Sequence, residues 1–257
     1  MPKVLLQPSL SFERKAMLKL SMIDDSIELV NADIFALPFY RNVMMAGALP
    51  VGSITYMRKA FETIGVKEPP NISYPDGFRP FAHRPVWVTA AAHILESNAP
   101  VFVKPMETKL FTGFVLDNKA GAFGRSNHDI IQYNELCALP STAPLWASEV
   151  VEWVSEYRYY VVDGKVIGSA RYDGIEGDAP VPDAKVVSAC IEALNIQHPY
   201  ALDMGVLRDG RTALVEANDA WAIGLYKGVL TERKYFDFLY ARWSEIISGL
   251  KDIPQST

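Results

Sequence analysis

Short runs of apolar residues alternate along the chain with amphipathic stretches, and clusters of turn residues separate them. Brief apolar runs bounded by turn residues predict buried strands at residues 3–7, 101–105 and 110–116. Helical spacing predicts helices at residues 53–65, 86–97, 130–139, 183–195 and 232–250. Ser53 and Asp183 can cap two of these helices, and Gly65 can end the first. Residues 146–162 read as one long extended segment, whereas residues 23–35 fit a helix or a strand.

A segment rich in proline, glycine, asparagine and aspartate divides the pattern at residues 67–85. Such a composition is typical of a linker or an ordered loop rather than of a regular element. We place a domain boundary near residue 82, so that a small N-terminal α/β domain precedes a larger module. Strands and helices are mixed along this module and hairpins join its strands, which predicts the α+β class.

Composition and charge limit the classes of protein that the chain can belong to. Its 257 residues are 49% apolar and 21% charged, with a net charge of −5 and no block of like charges. These values argue against a surface that coats nucleic acid and against a polybasic membrane anchor. No apolar stretch has the length of a signal peptide or a membrane span, so we expect a cytoplasmic protein with no membrane partner. Cys137 and Cys190 are expected to be buried free thiols.

Polar residues interrupt the hairpin ALDMGVLRDGRTALVEAND at residues 201–219. With a two-residue turn at Asp209-Gly210, Asp203 stands opposite Glu216, and Asn218 lies on the same face. Two opposed carboxylates repel each other, so a cation is expected between them. Two carboxylates and an amide are hard oxygen ligands that suit Mg²⁺. The alternative is a solvated hairpin with scattered acids.

A second hairpin, at residues 157–172, turns at Asp163-Gly164 between apolar runs. A two-residue turn predicts that Glu156 faces Arg171 and that Arg158 faces Ser169. Such a Glu-Arg pair is either an ordinary cross-strand contact or part of a polyphosphate site.

Lys104 lies at the end of the apolar strand VFVKP. Lys109 lies five residues further on, in the predicted loop before the next strand. A lysine that reaches inward from such a strand usually pairs with an acid, because lysines are rarely buried without a partner. A phosphate group is the functional alternative, with the loop closing over a nucleotide.

These parts, taken in order, resemble the ATP-grasp superfamily. The resemblance rests on VFVKP, KLFTGFV, SEYRYYVVDGKVIG and VEANDAWAIGLY, and on the spacings of Glu149 to Glu156 and of Asp203 to Glu216 and Asn218. It covers residues 83–228 and is closest to the clade named for one arginine and two lysines. The resemblance implies an ATP-grasp fold, in which two α+β subdomains at 83–147 and 148–257 grip ATP, preceded by a pre-ATP-grasp-like domain at 1–82.

The resemblance also implies a role for each matched residue. Lys104 would contact the ATP phosphates and Lys109 would assist them from a mobile loop. Glu149 would accept from the adenine amino group, the backbone near Val150, Val151 and Glu152 would read the ring edge, and Glu156 would take the ribose hydroxyls. Arg158 and Arg171 would meet phosphate or an acyl phosphate, and Asp203, Glu216 and Asn218 would hold one or two Mg²⁺, with Mn²⁺ as the alternative ion.

The implied reaction joins a carboxylate to an amine at the expense of ATP, through an acyl phosphate. The expected partners are ATP and small-molecule or peptide substrates, and a homodimer is left open. Two alternatives are a nucleotide-binding module without turnover and an ATP-dependent enzyme that modifies nucleic acid. The sequence departs from the superfamily in two ways: METKLFTG replaces the glycine-rich phosphate loop, and Arg84 is the nearest counterpart of an earlier lysine. If Glu156 pairs with Arg171, it is less free to bind ribose.

Overall fold

A three-stranded parallel sheet forms the N-terminal part of the chain. The computed structural model describes residues 3–9, 11–107, 110–119, 126–174, 177–226, 228 and 230–251. The first sheet has the order β2-β1-β3, and its strands are β1 (Lys3–Leu6), β2 (Glu28–Asn31) and β3 (Leu49–Val51). The helices of this part are α1 (Phe12–Ile23), α2 (Arg41–Met45) and α3 (Ile54–Ile64). The ambiguous stretch at 23–35 therefore supplies a strand.

Helix α3 begins and ends where the sequence predicts. The side chain of Ser53 accepts a hydrogen bond from the backbone N–H of Tyr56 at 3.3 Å, which satisfies one of the free donors at the helix start. Gly65 follows the last turn with φ at 76°, a left-handed conformation that glycine adopts without a steric penalty. The capping prediction is confirmed.

The second sheet is antiparallel and four-stranded, with the order β4-β7-β5-β6. It is built from β4 (Val86–Ala90), β5 (Val101–Pro105), β6 (Phe114–Leu116) and β7 (Pro144–Ser148), with helices α5 (Ala91–Leu95) and α6 (Asn127–Ala138) beside it; a short helix, α4 (Arg79–Ala82), precedes it. The prediction of one helix at 86–97 is wrong, because its first residues pair with β7 as a strand. The division near residue 82 stays a prediction, and it falls between α4 and β4.

The third sheet is also antiparallel and four-stranded, with the order β11-β10-β8-β9. Its strands are β8 (Trp153–Val162), β9 (Lys165–Arg171), β10 (Tyr200–Leu207) and β11 (Thr212–Asp219). Helix α7 (Ala184–Leu194) covers one face, where its apolar side chains share a core with those of β8, β10 and β11. Asp183 caps this helix by accepting from the N–H of Lys185 at 2.7 Å, as predicted.

The closing helix α8 (Glu232–Lys251) packs against the N-terminal sheet rather than only against its own module. Phe61 of α3 contacts Trp221, which follows β11, with ring centroids 5.2 Å apart, and Trp243 of α8 at 6.0 Å. The N-terminal sheet with its helices and the closing helix therefore bury one common core, which ties the two ends of the described chain together.

Both predicted hairpins form, but a β-bulge interrupts each of them. In the first, Val206 pairs with Thr212, so the turn is one residue longer than predicted, and the bulge at Val215 then restores the opposition of Asp203 and Glu216. In the second, Asp163 and Gly164 have φ values of 49° and 68°, as a two-residue turn requires. No change in turn length offsets the bulge beyond this turn, so the strand pairs after it stay shifted by one residue.

The register predicted for the second hairpin is therefore wrong at its far end. Arg158 pairs with Ala170 rather than with Ser169, and Arg171 lies opposite Tyr157 rather than opposite Glu156. The cause is the extra residue between Val166 and Gly168, which shifts all later pairs by one position. Since opposed side chains share a face, this shift moves Arg171 to the other side of the sheet.

The segment at 67–85 is ordered and lies along the edge of β11, but it includes the short helix α4, so the prediction that it holds no regular element is wrong at Arg79–Ala82. Ser73 forms an isolated bridge with Ala217, and Tyr74 and Phe78 pack their rings against Trp146. Cys137 and Cys190 are free, but only Cys190 is buried, so the expectation for Cys137 is wrong. Burial raises the pKa of the Cys190 thiol to about 12. Of the described helices, none has the length and apolar character needed to cross a membrane.

Candidate active site

A cleft of about 620 Å³ lies between the second and third sheets. This volume is in the range of cavities that hold a small molecule or cofactor. Of the residues singled out from the sequence, the cleft is lined by Arg84, Lys104, Glu149, Val150, Val151, Glu156, Glu216 and Asn218. The two hairpins and the strand that carries Lys104 thus meet at one cavity, although they are far apart in the sequence.

The three oxygen-bearing residues of the first hairpin lie together, as the sequence predicts. Asp203 is opposite Glu216, and Ala201 is opposite Asn218, so all three polar side chains share the face toward the cleft. The amide Nδ2 of Asn218 donates to Glu216 Oε1 at 2.9 Å and to Asp203 Oδ2 at 3.3 Å. The amide of Asn218 thereby forms a hydrogen-bonded bridge between the two carboxylates.

Two cations neutralise these two carboxylates. The Nζ of Lys104 contacts Glu216 directly, and the guanidinium of Arg158 binds Asp203 through two parallel hydrogen bonds of 2.8 and 2.7 Å. Asp203 is 1% exposed and Arg158 is 9% exposed, so this second pair is well shielded from water. A charged pair at such depth is strong only while both partners are present, because each alone would be a buried charge.

The two carboxyl groups respond differently to their surroundings. Burial raises the pKa of Asp203, and the guanidinium of Arg158 opposes this shift. Burial alone would also raise the pKa of Glu216, but the ammonium of Lys104 and the amide of Asn218 hold it below its usual value. Of these two carboxyl groups, Glu216 is therefore the more readily ionised.

The donor set of this hairpin fits a divalent cation such as Mg²⁺. Asn218 uses its nitrogen for the carboxylates, which leaves its carbonyl oxygen available, and each carboxylate oxygen can accept more than one partner. Two carboxylates and an amide are the oxygen ligands that Mg²⁺ prefers. Among the described residues, no cluster of three or more His, Cys, Asp or Glu side chains is suited to a metal ion, and the set at this hairpin consists of two carboxylates and an amide.

The second hairpin brings Glu156 to the cleft but not Arg171. The Oε2 of Glu156 accepts a hydrogen bond of 2.9 Å from the hydroxyl of Tyr172. Arg171 is held on the other face by Asp173, at 2.8 Å, and by the carbonyl of Gly177, at 2.7 Å. The predicted pairing of Glu156 with Arg171 is absent, so it does not compete with a ligand for Glu156.

The extended segment between the second and third sheets borders the cleft at Glu149, Val150 and Val151. The N–H of Glu149 donates to the carbonyl of Pro85 at 3.2 Å, which ties the segment to the start of β4. Glu152 lies beyond the lining residues: its carbonyl accepts from the N–H of Arg208 at 3.0 Å, and its side chain pairs with that arginine. Lys109 lies outside the described residues.

Arg84 braces the bulge in β11, a role that sequence reasoning did not find. Its guanidinium donates to the carbonyls of Leu214 and Val215 at 2.8 and 3.3 Å and to the hydroxyl of Tyr74 at 3.3 Å. It also lies over the ring of Trp153, 5.3 Å from its centroid. Arg84 thus satisfies carbonyls that the bulge leaves outside the regular ladder, directly before Glu216.

Replacing Arg84 by methionine is expected to lower the free energy of unfolding by about 2 kcal/mol, because carbonyls of the bulge lose their partners. The midpoint of thermal unfolding should fall by about 6 °C. Arg79→Met is the matched control, since Arg79 donates a single hydrogen bond, to the carbonyl of Val86. An equal loss in both variants, measured by thermal unfolding, would contradict the bracing role.

Comparisons with known proteins agree with this arrangement. The model of an ATP-grasp domain family, the second family of the clade named for one arginine and two lysines, matches residues 81–236. Among solved structures, D-cycloserine synthetase DcsG is similar at a TM-score of 0.60 and 12% identity, over 96% of this chain and 100% of that one. D-alanine–D-alanine ligase from Bacillus anthracis is similar at a TM-score of 0.54 and 13% identity, over 97% of this chain and 99% of that one.

No protein in the curated set matches the chain. At identities this low, the two solved structures establish the fold alone, so the predicted α+β ATP-grasp fold is confirmed. The family match extends over more than half of the sequence and includes both hairpins and the strand that carries Lys104. The chain therefore belongs to the ATP-grasp superfamily, in the clade named for one arginine and two lysines.

Proposed function

We propose that the protein is an ATP-dependent ligase that joins a carboxylate to an amine through an acyl phosphate. The observation that carries this proposal is the cluster at the cleft, where Lys104 contacts Glu216 and Arg158 contacts Asp203. Lys104, Glu216 and Asn218 line the cleft, and Asp203 and Arg158 lie buried next to them, so cations suited to phosphate and oxygen ligands suited to a metal ion are neighbours. A site for a metal-bound triphosphate needs both kinds of group close together.

Five predicted residues of the cleft have a part in holding ATP in this proposal. Lys104 binds the phosphates, and Lys109, which lies outside the described residues, assists it. Glu149 accepts from the adenine amino group, and the backbone of Val150 and Val151 borders the ring. Glu156 accepts from the ribose. Arg171 and Glu152 lie away from the cleft and have no part in it.

Asp203, Glu216 and Asn218 would hold Mg²⁺. When it is bound, the ion neutralises negative charge on the phosphoryl oxygens. Binding of the nucleotide then exchanges partners: Lys104 leaves Glu216 for a phosphate oxygen, and Arg158 turns a hydrogen-bond donor from Asp203 toward the transferred phosphoryl group. The two ion pairs therefore keep both sets of charges in place before substrates arrive.

The bonds change in two steps. A carboxylate oxygen of the first substrate attacks the γ-phosphorus of ATP, the bond to the bridging oxygen breaks, and ADP leaves. The amine of the second substrate then attacks the acyl carbon, the carbon–oxygen bond to phosphate breaks, and the amine loses a proton. Lys104 and Arg158 hold the anion in line in the first step, and closure of the cleft over its substrates keeps water from the acyl phosphate.

The test is ADP release from Mg-ATP in the presence of pooled amino acids and short peptides. We expect ADP and phosphate in equal amounts, a product with the mass of two joined substrates, and no release when EDTA removes the metal. Tight binding of Mg-ATP without ADP release under any acceptor pool would favour a non-catalytic nucleotide-binding module. Release that depends on an added oligonucleotide would favour the nucleic-acid-modifying alternative.

A further inference from the structure

Three contacts fix Glu156 to the residues that follow β9. The N–H of Tyr172 donates to the carbonyl of Glu156 at 3.1 Å, and the N–H of Glu156 donates to Asp173 Oδ2 at 3.1 Å. The third contact is the hydrogen bond of 2.9 Å from the hydroxyl of Tyr172 to Glu156 Oε2. The first two contacts hold the backbone, so only the tyrosine hydroxyl sets the direction of the carboxylate.

Tyr172 is itself held from the opposite side. Its ring is stacked on that of Tyr226, with centroids 5.4 Å apart and planes inclined by 24°. The guanidinium of Arg158 lies 5.5 Å from the centroid of Tyr172. Stacking and cation–π contacts restrict the ring, which makes the hydroxyl a fixed donor rather than a mobile one.

The carboxylate of Glu156 presents its other oxygen to the cleft. Glu156 belongs to the lining of the cleft, whereas Tyr172 does not. Within the described part of the chain, Oε1 of Glu156 accepts no hydrogen bond from a side chain or backbone group. Burial raises the pKa of this carboxyl, the hydrogen bond from Tyr172 opposes the shift, and the carboxylates of Asp203, Asp173 and Glu216 add to it. A hydroxyl donor on a ligand would satisfy the remaining oxygen.

We propose that Tyr172 is a positioning residue that aims Glu156 at the ribose and thereby makes the cleft select ribonucleotides over deoxyribonucleotides. This inference rests on the proposed function, because it takes the ligand to be ATP. A site that hydrogen-bonds a hydroxyl of its ligand discriminates against an analogue that lacks it, since the protein group is then left without a partner. That discrimination depends on how well the acceptor is oriented.

The test compares the binding of Mg-ATP, Mg-2′-deoxy-ATP and Mg-3′-deoxy-ATP by calorimetry, which requires no turnover. The wild-type protein is expected to bind ATP about tenfold or more tightly than at least one deoxy analogue. Tyr172→Phe should reduce this ratio to about threefold or less, because it weakens the binding of ATP and leaves the binding of the deoxy analogue unchanged. Tyr226→Phe is the matched control, because it removes a hydroxyl from the stacked ring without touching Glu156, and its ratio should equal that of the wild type.

A variant of the acceptor completes the test. In a Glu156→Ala background, which removes the acceptor, the added Tyr172→Phe change is expected to leave the ratio unaltered, because the two residues act through one hydrogen bond. If Tyr172→Phe weakened the binding of ATP and of both analogues equally, its role would be structural and the inference would be overturned. A wild-type protein that binds ATP and both deoxy analogues equally well would overturn it too. Failure of the wild-type protein to bind any of the three nucleotides would instead overturn the proposed function.

Discussion

Replacing Glu216 by glutamine is expected to lower the rate of ADP release on the order of 100-fold, which corresponds to about 3 kcal/mol of lost stabilisation. The amide keeps the shape of the side chain and one acceptor oxygen, but it removes the charge that neutralises Lys104 and that would bind the metal. Lys104 is 8% exposed, so water compensates little for this loss. Steady-state ADP release over a range of Mg²⁺ concentrations measures the effect.

Glu192→Gln is the control for this change, because Glu192 lies exposed on α7, on the side of the third sheet away from the cleft. It makes the same chemical substitution without touching the site, so its rate should equal that of the wild type. The role of Glu216 would be contradicted if Glu216→Gln kept full ADP release and an unchanged requirement for Mg²⁺, with a thermal midpoint close to that of the wild type.

Replacing Arg242 by methionine is expected to destabilise the fold by about 3 to 5 kcal/mol, because it leaves a buried carboxylate without its partner. Arg242 of α8 binds Asp219 through two hydrogen bonds of 2.8 and 2.6 Å, and the two side chains are only 10% and 5% exposed. The midpoint of thermal unfolding should fall by about 10 °C. Denaturant unfolding gives the free energy, and an unchanged slope would show that only stability has changed.

A second change should recover part of this loss. Asp219→Asn in the Arg242→Met background removes the uncompensated charge, while its side-chain oxygen can still accept from the N–H of Trp221, as Asp219 does at 3.3 Å. Arg233→Met on the same helix is the control, since the ion pairs of Arg233 lie at the surface and contribute little. A loss no greater for Arg242→Met than for Arg233→Met would contradict the importance of the buried pair.

The positions of both turns could be predicted from the sequence, because aspartate and glycine favour turn conformations locally, although the first turn is one residue longer than predicted. The bulges could not, because an extra residue in a strand is stabilised by distant partners such as Arg84, which binds the carbonyl of Val215. At Asp203 the longer turn and the bulge cancel, so the predicted opposition to Glu216 is correct. At Arg171 nothing cancels the bulge, and the prediction fails.

The same distinction explains the other successes and failures. Caps such as Ser53 and Asp183 depend on a few neighbouring residues and were predictable, whereas the start of β4 looks helical until β7 pairs with it. Tyr172 and Arg242 carry no motif of their own, and their roles follow from contacts with Glu156 and Asp219. The pattern of polar residues therefore predicted which strands meet at the cleft, but not which side chains hold them in place.

The common core of α3 and α8 has a consequence for how the protein is made. On the ribosome, the apolar side chains of the first sheet emerge long before α8 is synthesised, so they lack their cover throughout most of translation. Contacts between segments so distant in the sequence also form slowly, because a long loop must close first. The nascent N-terminal sheet thus keeps part of its apolar surface uncovered until the helix that carries Trp243 has been synthesised.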